Sequence, residues 1–357
     1  MKKLKANFQD RSYDIFYQLG LIDKTGTLIK PLKTDKKVVI VSEANIKKLF
    51  GSKLEKSLKQ SGFKFSWVLL RGGQEKTLAE IERLYHLFAK QNLSRHSVVI
   101  SLGGGSVQDL ACFAAATFKR GLKLVQIPTT LLISSDVSIG GCAVDLPEGK
   151  SLVGTFYQPV LVIQDVALLK GLPDIIYRDG LAEIIKYSIN AGFFDQLEKD
   201  FVKLIKRDLK VVEKYVYLSN KIKKELTEQD ERDCHDIRIQ VDLGHTISHA
   251  LEAIMNYKIS HGQALGIGLR GAVLLSEMSG GLSKTKRERV EKLIVDSGLP
   301  YTLPKGVTYA ELIKHIKKDK KCYGNKLVFI LIKDFGQLTI THKVHENMVK
   351  KVIDLIK

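Results

Sequence analysis

Ser97-Val98-Val99-Ile100-Ser101-Leu102-Gly103-Gly104-Gly105-Ser106-Val107-Gln108-Asp109 is the stretch that decides the fold. A short apolar run passes straight into three glycines and then into the alanine-rich Leu110 to Phe118, which reads as strand, turn and helix. Glycine has no Cβ, so its backbone can approach a phosphate closely, and a helix start just beyond offers free N–H groups and a positive dipole. The spacing is not G-x-G-x-x-G. A pyrophosphate site is therefore one reading, and a tight packing turn is the bland one.

Working outward from it, the same alternation recurs. Lys37 to Ser42 reads as a buried strand, Asn45 to Gln60 as a helix, Phe63 to Leu70 as a strand and Leu78 to Lys90 as a helix. Leu122 to Ile127 is a further strand, ended by Pro128-Thr129-Thr130, and Val160 to Gln164 is another. Strands alternating with helices imply a Rossmann-like parallel sheet. Residues 1–36 read as edge strands or a hairpin, and 134–151 as a loop-rich section. From Tyr177 onward the periodicity is helical (181–189, 194–205, 212–226), until a short hairpin over 327–332 and 336–341 and a terminal helix. The expected division is an α/β N-terminal domain over 1–172 and a helical domain over 173–357.

Composition narrows the function classes. The 357 residues are 44% hydrophobic, enough for a substantial core, and carry a formal net charge of +18. Dispersed lysines alternating with Glu and Asp, as over Lys203 to Glu228, form a solvated surface that attracts an anionic small substrate rather than nucleic acid. Cys112, Cys142, Cys234 and Cys322 are scattered without a C-x-x-C pair, which suits a reducing cytoplasm. No secretory signal pattern is visible and no run approaches the roughly 20 apolar residues of a membrane span.

Three imidazoles cluster late in the chain. His245 and His249 are four residues apart and share one helix face, and His261 opens a segment of small residues suited to close helix packing. They read as a metal or general acid/base cluster, the alternative being satisfied core or capping histidines.

Taken jointly, Gly103 to Leu110, Phe118-Lys119-Arg120-Gly121, Gln126 to Leu132, Phe156-Tyr157-Gln158-Pro159, Gly180 to Tyr187, Asp242 to Thr246 and His261-Gly262-Gln263-Ala264 resemble 3-dehydroquinate synthase and its relatives, the sugar phosphate cyclases. The resemblance runs from about Val38 to the end. It implies an NAD-binding α/β domain, an all-α metal-binding domain and a homodimer. It implies zinc or cobalt on Glu183, His245 and His261, and a substrate contact and proton-transfer role for His249. Cofactor positions fall on Glu43, Asn45, Lys76, Gly104, Gly105, Asp109, Thr129, Thr130, Asp136 and Lys150. Lys186 and Lys223 match substrate lysines and Arg238 the arginine that grips a carboxylate. Arg120 matches an arginine reaching the neighbouring subunit's site, and Lys321, in Asp319-Lys320-Lys321, a C-terminal lysine. The implied reaction oxidises a ring carbinol, eliminates phosphate, returns the hydride and closes a carbocycle.

Several positions depart from the pattern. Gly140-Gly141-Cys142-Ala143 stands where the synthase usually has Gly-Gly-Lys-Thr, which removes an expected phosphate-site cation. Asp242 replaces an Asn and brings a carboxylate beside the substrate phosphate, and Ser151 replaces another Asn. One residue is inserted near Cys234-His235 and one is missing between Cys142 and Lys150. The readings are a divergent 3-dehydroquinate synthase, favoured by Arg238 and Lys223, then a cyclase for another sugar phosphate of the 2-deoxy-scyllo-inosose or valiolone type. A polyol dehydrogenase or a non-catalytic relative comes last. Cys142→Lys is expected to raise dehydroquinate-forming activity if the pocket is merely degenerate.

Overall fold

The computed structural model describes residues 1–8, 11–71, 76–136, 139–147, 149–317 and 327–357. They form two compact units, Met1–Leu172 and Pro173–Lys357.

In the first unit, β1 (Lys2–Asn7) and β2 (Ser12–Tyr17) make an antiparallel hairpin, followed by the short α1 (Thr25–Ile29). Then come β3 (Lys37–Ser42), α2 (Ala44–Gln60), β4 (Lys64–Leu69), α3 (Leu78–Lys90), β5 (Val98–Gly103), α4 (Gly105–Thr117) and β6 (Lys123–Pro128). The short α5 (Leu131–Ser135), the hairpin β7 (Cys142–Leu146) and β8 (Gly149–Thr155), and β9 (Leu161–Gln164) complete it. The main sheet runs β1-β2-β9-β6-β5-β3-β4, parallel throughout except for the β1 edge. Period-2 side-chain alternation explains the two helical layers. Val38 and Ile40 pack with Leu54 and Leu58 of α2, while Val39 and Val41 pack with Leu84 and Phe88 of α3 and Ala111 of α4. The chain leaves β3 toward one edge and returns as β5 on its other side. The strand order therefore reverses between β3 and β5, where such sheets open a crevice at their carboxyl ends.

Two expectations are corrected here. The loop-rich section holds the end of α5, all of β7 and the start of β8, the hairpin being entered through Gly140 and Gly141 at φ of 103° and 140°. A Cβ on Gly141 would stand 2.4 Å from the Thr155 carbonyl oxygen, so the close strand crossing needs glycine. The helix after the glycines also starts at Gly105 rather than Leu110, because glycine and serine occupy its first turn without interrupting it.

The second unit is helical: α6 (Asp174–Asp179), α7 (Leu181–Asn190), α8 (Phe194–Ile205), α9 (Leu209–Gln229), α10 (His245–Ile254), α11 (His261–Met278), α12 (Lys284–Asp296) and α13 (Tyr309–Ile316). A small hairpin of β10 (Phe329–Asp334) and β11 (Gln337–Thr341) precedes α14 (Glu346–Leu355), so this unit is helical with one two-stranded ribbon. Small residues let α11 lie tight against the start of α10. A Cβ on Gly268 would come within 2.2 Å of the Gly244 carbonyl oxygen, and Gly244 itself caps α10 at φ 81°. No helix among the described residues is long and apolar enough to cross a membrane.

Candidate metal centre and nucleotide turn

Glu183 lies on α7, His245 opens α10 and His261 opens α11. The close α10–α11 approach brings the two imidazoles to 5.2 Å between ring centres. Glu183 Oε1 stands 2.9 Å from His261 Nε2 and 3.7 Å from His245 Nε2, and the three ligand atoms all lie within 4.8 Å of one another. Tetrahedral zinc with bonds of about 2.1 Å needs donors about 3.4 Å apart, a spacing bracketed by the 2.9 and 3.7 Å from Glu183 to the two imidazoles. Two imidazoles and one carboxylate are also the donor set of an open catalytic site. Each imidazole is held from behind: His245 Nδ1 faces the Leu243 carbonyl at 3.3 Å and His261 Nδ1 faces Glu252 Oε1 at 2.9 Å. Both Nε2 atoms thus turn toward Glu183.

The other oxygen of Glu183 meets Lys186 Nζ at 2.6 Å, off the hydrogen-bonding line, and both side chains are 2% exposed or less. Burial, followed by the positive charge of Lys186, pushes the His245 pKa well below its usual value. For His261 burial acts in the same sense, but the carboxylates of Glu183 and Glu252 outweigh it and raise the pKa to about 10. His249 stands one turn on from His245, with ring centres 5.1 Å apart, and is half-buried. Asp242 ends the 3-10 turn Arg238–Asp242, close enough for its charge to act on His245. Lys223 is buried on α9. Arg238 donates from Nη1 to the Glu231 carbonyl at 2.8 Å, and its loop is organised by Asp230. That carboxylate accepts from the backbone N–H groups of Cys234, His235, Ile237 and Arg238 at 2.8–3.3 Å. Lys321 falls outside the described residues.

The glycine turn of the first unit is equally specific. Gly103 ends β5, where a Cβ would collide with Val107 at 2.6 Å, and Gly104 caps α4. Gln108 is fully buried and staples the turn, accepting from Ser101 Oγ at 2.5 Å and donating to the carbonyls of Ser101, Gly103 and Ile127. Thr130 caps α5, whereas the fully buried Thr129 hydroxyl has no hydrogen-bond partner among the described residues. An orphaned hydroxyl beside a helix start fits a ligand better than a plain packing turn. Gly105 lies in the first turn of α4, with Asp109 one turn on, and Asp136 ends α5. Glu43 caps α2 at the β3 end, its pKa raised by burial, with Asn45 exposed beside it.

Lys76 forms a second cluster, with its Nζ 2.8 Å from Asp109 Oδ2, 3.7 Å from Asp145 Oδ1 and 3.3 Å from Ser151 Oγ. Burial lowers the pKa of Lys76, but the two carboxylates outweigh it. Burial raises that of Asp109 against the pull of Lys76. Lys150 is exposed on β8 and Arg120 is exposed in left-handed backbone at φ 62°. Cys142 turns inward: it is buried in the same apolar cluster as Cys112 and Val144. A lysine at this position would start from the core, so whether Cys142→Lys brings a cation to a phosphate site depends on how far its chain reaches. Asp145, Glu252, Asp230 and Gln108 carry no mark in one sequence that separates them from ordinary polar residues.

The 3-dehydroquinate synthase N-terminal family model matches residues 66–179 and its C-terminal counterpart matches 180–322. The 3-dehydroquinate synthase of Desulforamulus reducens is 38% identical over 99% of both chains. That of Pelotomaculum thermopropionicum is 37% identical over 97% of this chain and 95% of its own. The chain belongs to the 3-dehydroquinate synthase family. Solved structures share the fold: 2-deoxy-scyllo-inosose synthase, complexed with carbaglucose-6-phosphate, NAD+ and Co2+, superposes with a TM-score of 0.87 at 21% identity over 99% of both chains. The 2-epi-5-epi-valiolone synthase of Streptomyces hygroscopicus subsp. jinggangensis, with NAD+ and Zn2+ bound, gives 0.89 at 23% identity over 98% of both. A parallel-sheet α/β unit followed by a helical unit is thus the architecture of this 3-dehydroquinate synthase family member and of those cyclases.

Proposed function

We propose that the protein is an NAD- and metal-dependent sugar phosphate cyclase, a phosphorus–oxygen lyase of the shikimate pathway that converts 3-deoxy-D-arabino-heptulosonate 7-phosphate to 3-dehydroquinate. The observation that carries this reading is the convergence of His245 and His261 Nε2 on Glu183 Oε1, in a chain 38% identical over its length to a 3-dehydroquinate synthase. A divalent metal such as zinc or cobalt, held by Glu183, His245 and His261, would polarise a substrate oxygen, and NAD would supply a temporary hydride acceptor.

The chain's own residues do the rest. Lys186 and Lys223 bring buried positive charge toward an anionic substrate. Arg238 offers a planar fork for the carboxylate, which a lysine would hold less well. His249, one turn from His245, moves protons at the substrate. Glu43, Asn45, Gly104, Gly105, Thr129, Thr130 and Asp136 receive the dinucleotide around the β3–β5 switch point, and Lys76, Asp109 and Lys150 close on it from the hairpin side. Lys321 completes the phosphate grip, and in a homodimer Arg120 of each subunit serves the other's site. The free thiols suit a reducing cytoplasm.

Purified protein with NAD and Co2+ should release phosphate from 3-deoxy-D-arabino-heptulosonate 7-phosphate without net NADH. Release only from glucose 6-phosphate or sedoheptulose 7-phosphate would overturn the substrate and leave the cyclase. Asp242 favours that second reading, because its carboxylate stands where an anion is to be bound. Net NADH with simple polyols would instead indicate a dehydrogenase.

A further inference from the structure

The backing of the two imidazoles differs in kind. His245 Nδ1 faces a neutral backbone carbonyl, whereas His261 Nδ1 faces the carboxylate of Glu252 at 2.9 Å. Glu252 is 6% exposed, seven residues beyond His245 and so on the same side of α10. Its neighbour Leu251 packs in the apolar core with Ala264 and Ile267 of α11. A carboxylate is costly to bury there unless it is tied to a donor. The contact runs between two helices that meet only because Gly244 and Gly268 allow it. It fixes both the tilt of the His261 ring and the nitrogen that carries the proton. With Nδ1–H donating to Glu252, Nε2 is the nitrogen turned toward Glu183 Oε1, also at 2.9 Å, and it is the one a metal would take in place of a proton.

We propose that Glu252 is a positioning residue of the metal centre. It does not belong to the ligand set Glu183, His245 and His261, but it fixes the tautomer of His261 and raises the donor strength of its Nε2. The proposal rests on the reading that these three residues hold a divalent metal. Outer carboxylates of this kind change metal affinity by about 10–100-fold when removed. Glu252→Ala removes the acceptor altogether. Glu252→Gln keeps the shape and an acceptor oxygen while removing the charge.

The test is a Co2+ titration of metal-stripped full-length protein, read by the visible Co2+ spectrum and by competition with a chelator. Circular dichroism and thermal melting of the metal-free forms control for folding. The expected order of affinity is wild type, then Glu252→Gln, then Glu252→Ala, with Ala at least about 10-fold weaker than wild type and its spectrum changed. If Glu252→Ala does not fold, the comparison rests on Glu252→Gln against wild type. Affinities within twofold of wild type and unchanged spectra would overturn the role of Glu252 alone. A wild-type protein that binds no Co2+ would overturn the metal reading as well.

Discussion

The metal centre and the Lys76 cluster are both built from opposite charges, yet they sit in very different dielectric surroundings. Glu183 and Lys186 are at most 2% exposed, whereas the side chains of Lys76 and Asp109 are 14% and 24% exposed. A buried charge left alone is far more costly than one that water can reach. The first region therefore tolerates no missing member, while the second can exchange partners, as the proposed nucleotide site requires. Removing Glu183 ought to break that contrast hardest. Glu183→Ala strands Lys186 in the core, a loss of about 3–5 kcal/mol, visible in urea unfolding of metal-free protein. It also removes a metal donor, so phosphate release should fall by more than the ~100-fold of an outer-shell change. A variant with wild-type stability would mean that Lys186 finds water after all.

Cys142→Lys probes the opposite operation, adding a charge to a packed place. The thiol lies against Cys112 on α4, so burying a lysine there should cost at least ~2 kcal/mol. Thermal melting should register it, with Cys142→Ala as the milder control. If Cys142→Lys instead melts like wild type and releases phosphate faster, the lysine has reached solvent, and the cation expected from sequence has returned. Lys76→Met should have a smaller effect, about fivefold weaker NAD binding by fluorescence titration. This corresponds to about 1 kcal/mol for a partly screened charge contact. An unchanged affinity would make the cluster a purely structural clamp on the β7–β8 hairpin.

The same contrast explains what one sequence reveals. Strands β3, β5 and β6 were legible because a sheet covered on both faces demands mostly apolar runs, and the glycine turn because it ends one. His245, His249 and His261 stand out because histidine is rare here, with nine in the chain. Which of them share a metal depends on Glu183, more than 60 residues earlier, and on the close α10–α11 approach. Neither follows from local periodicity, and only the family resemblance supplied the set. The β7–β8 hairpin was missed because its apolar alternation is confined to Cys142 and Val144 on β7, while β8 buries no side chain fully. The inward turn of Cys142 was not legible because a motif position says nothing about which way a side chain turns.

Asp230 marks the mildest end of the series and makes the loop around the inserted residue testable. Burial works against its ionised form, but four backbone N–H groups outweigh that and hold its pKa below the ordinary carboxylate value. A depressed folded-state pKa means that the carboxylate stabilises the protein above its unfolded value of about 3.9, and that this share disappears as pH falls through the folded value. Asp230→Asn keeps one acceptor and should cost about 1–2 kcal/mol at neutral pH. The stability gap between wild type and variant should stay constant from pH 7 to about 5, then close below about 4. Because the same carboxylate orders the backbone of Arg238, the KM for a carboxylate-bearing substrate should rise more than kcat falls. A gap that does not depend on pH would assign the loss to shape rather than charge. An unchanged KM would separate Arg238 from the loop that carries it.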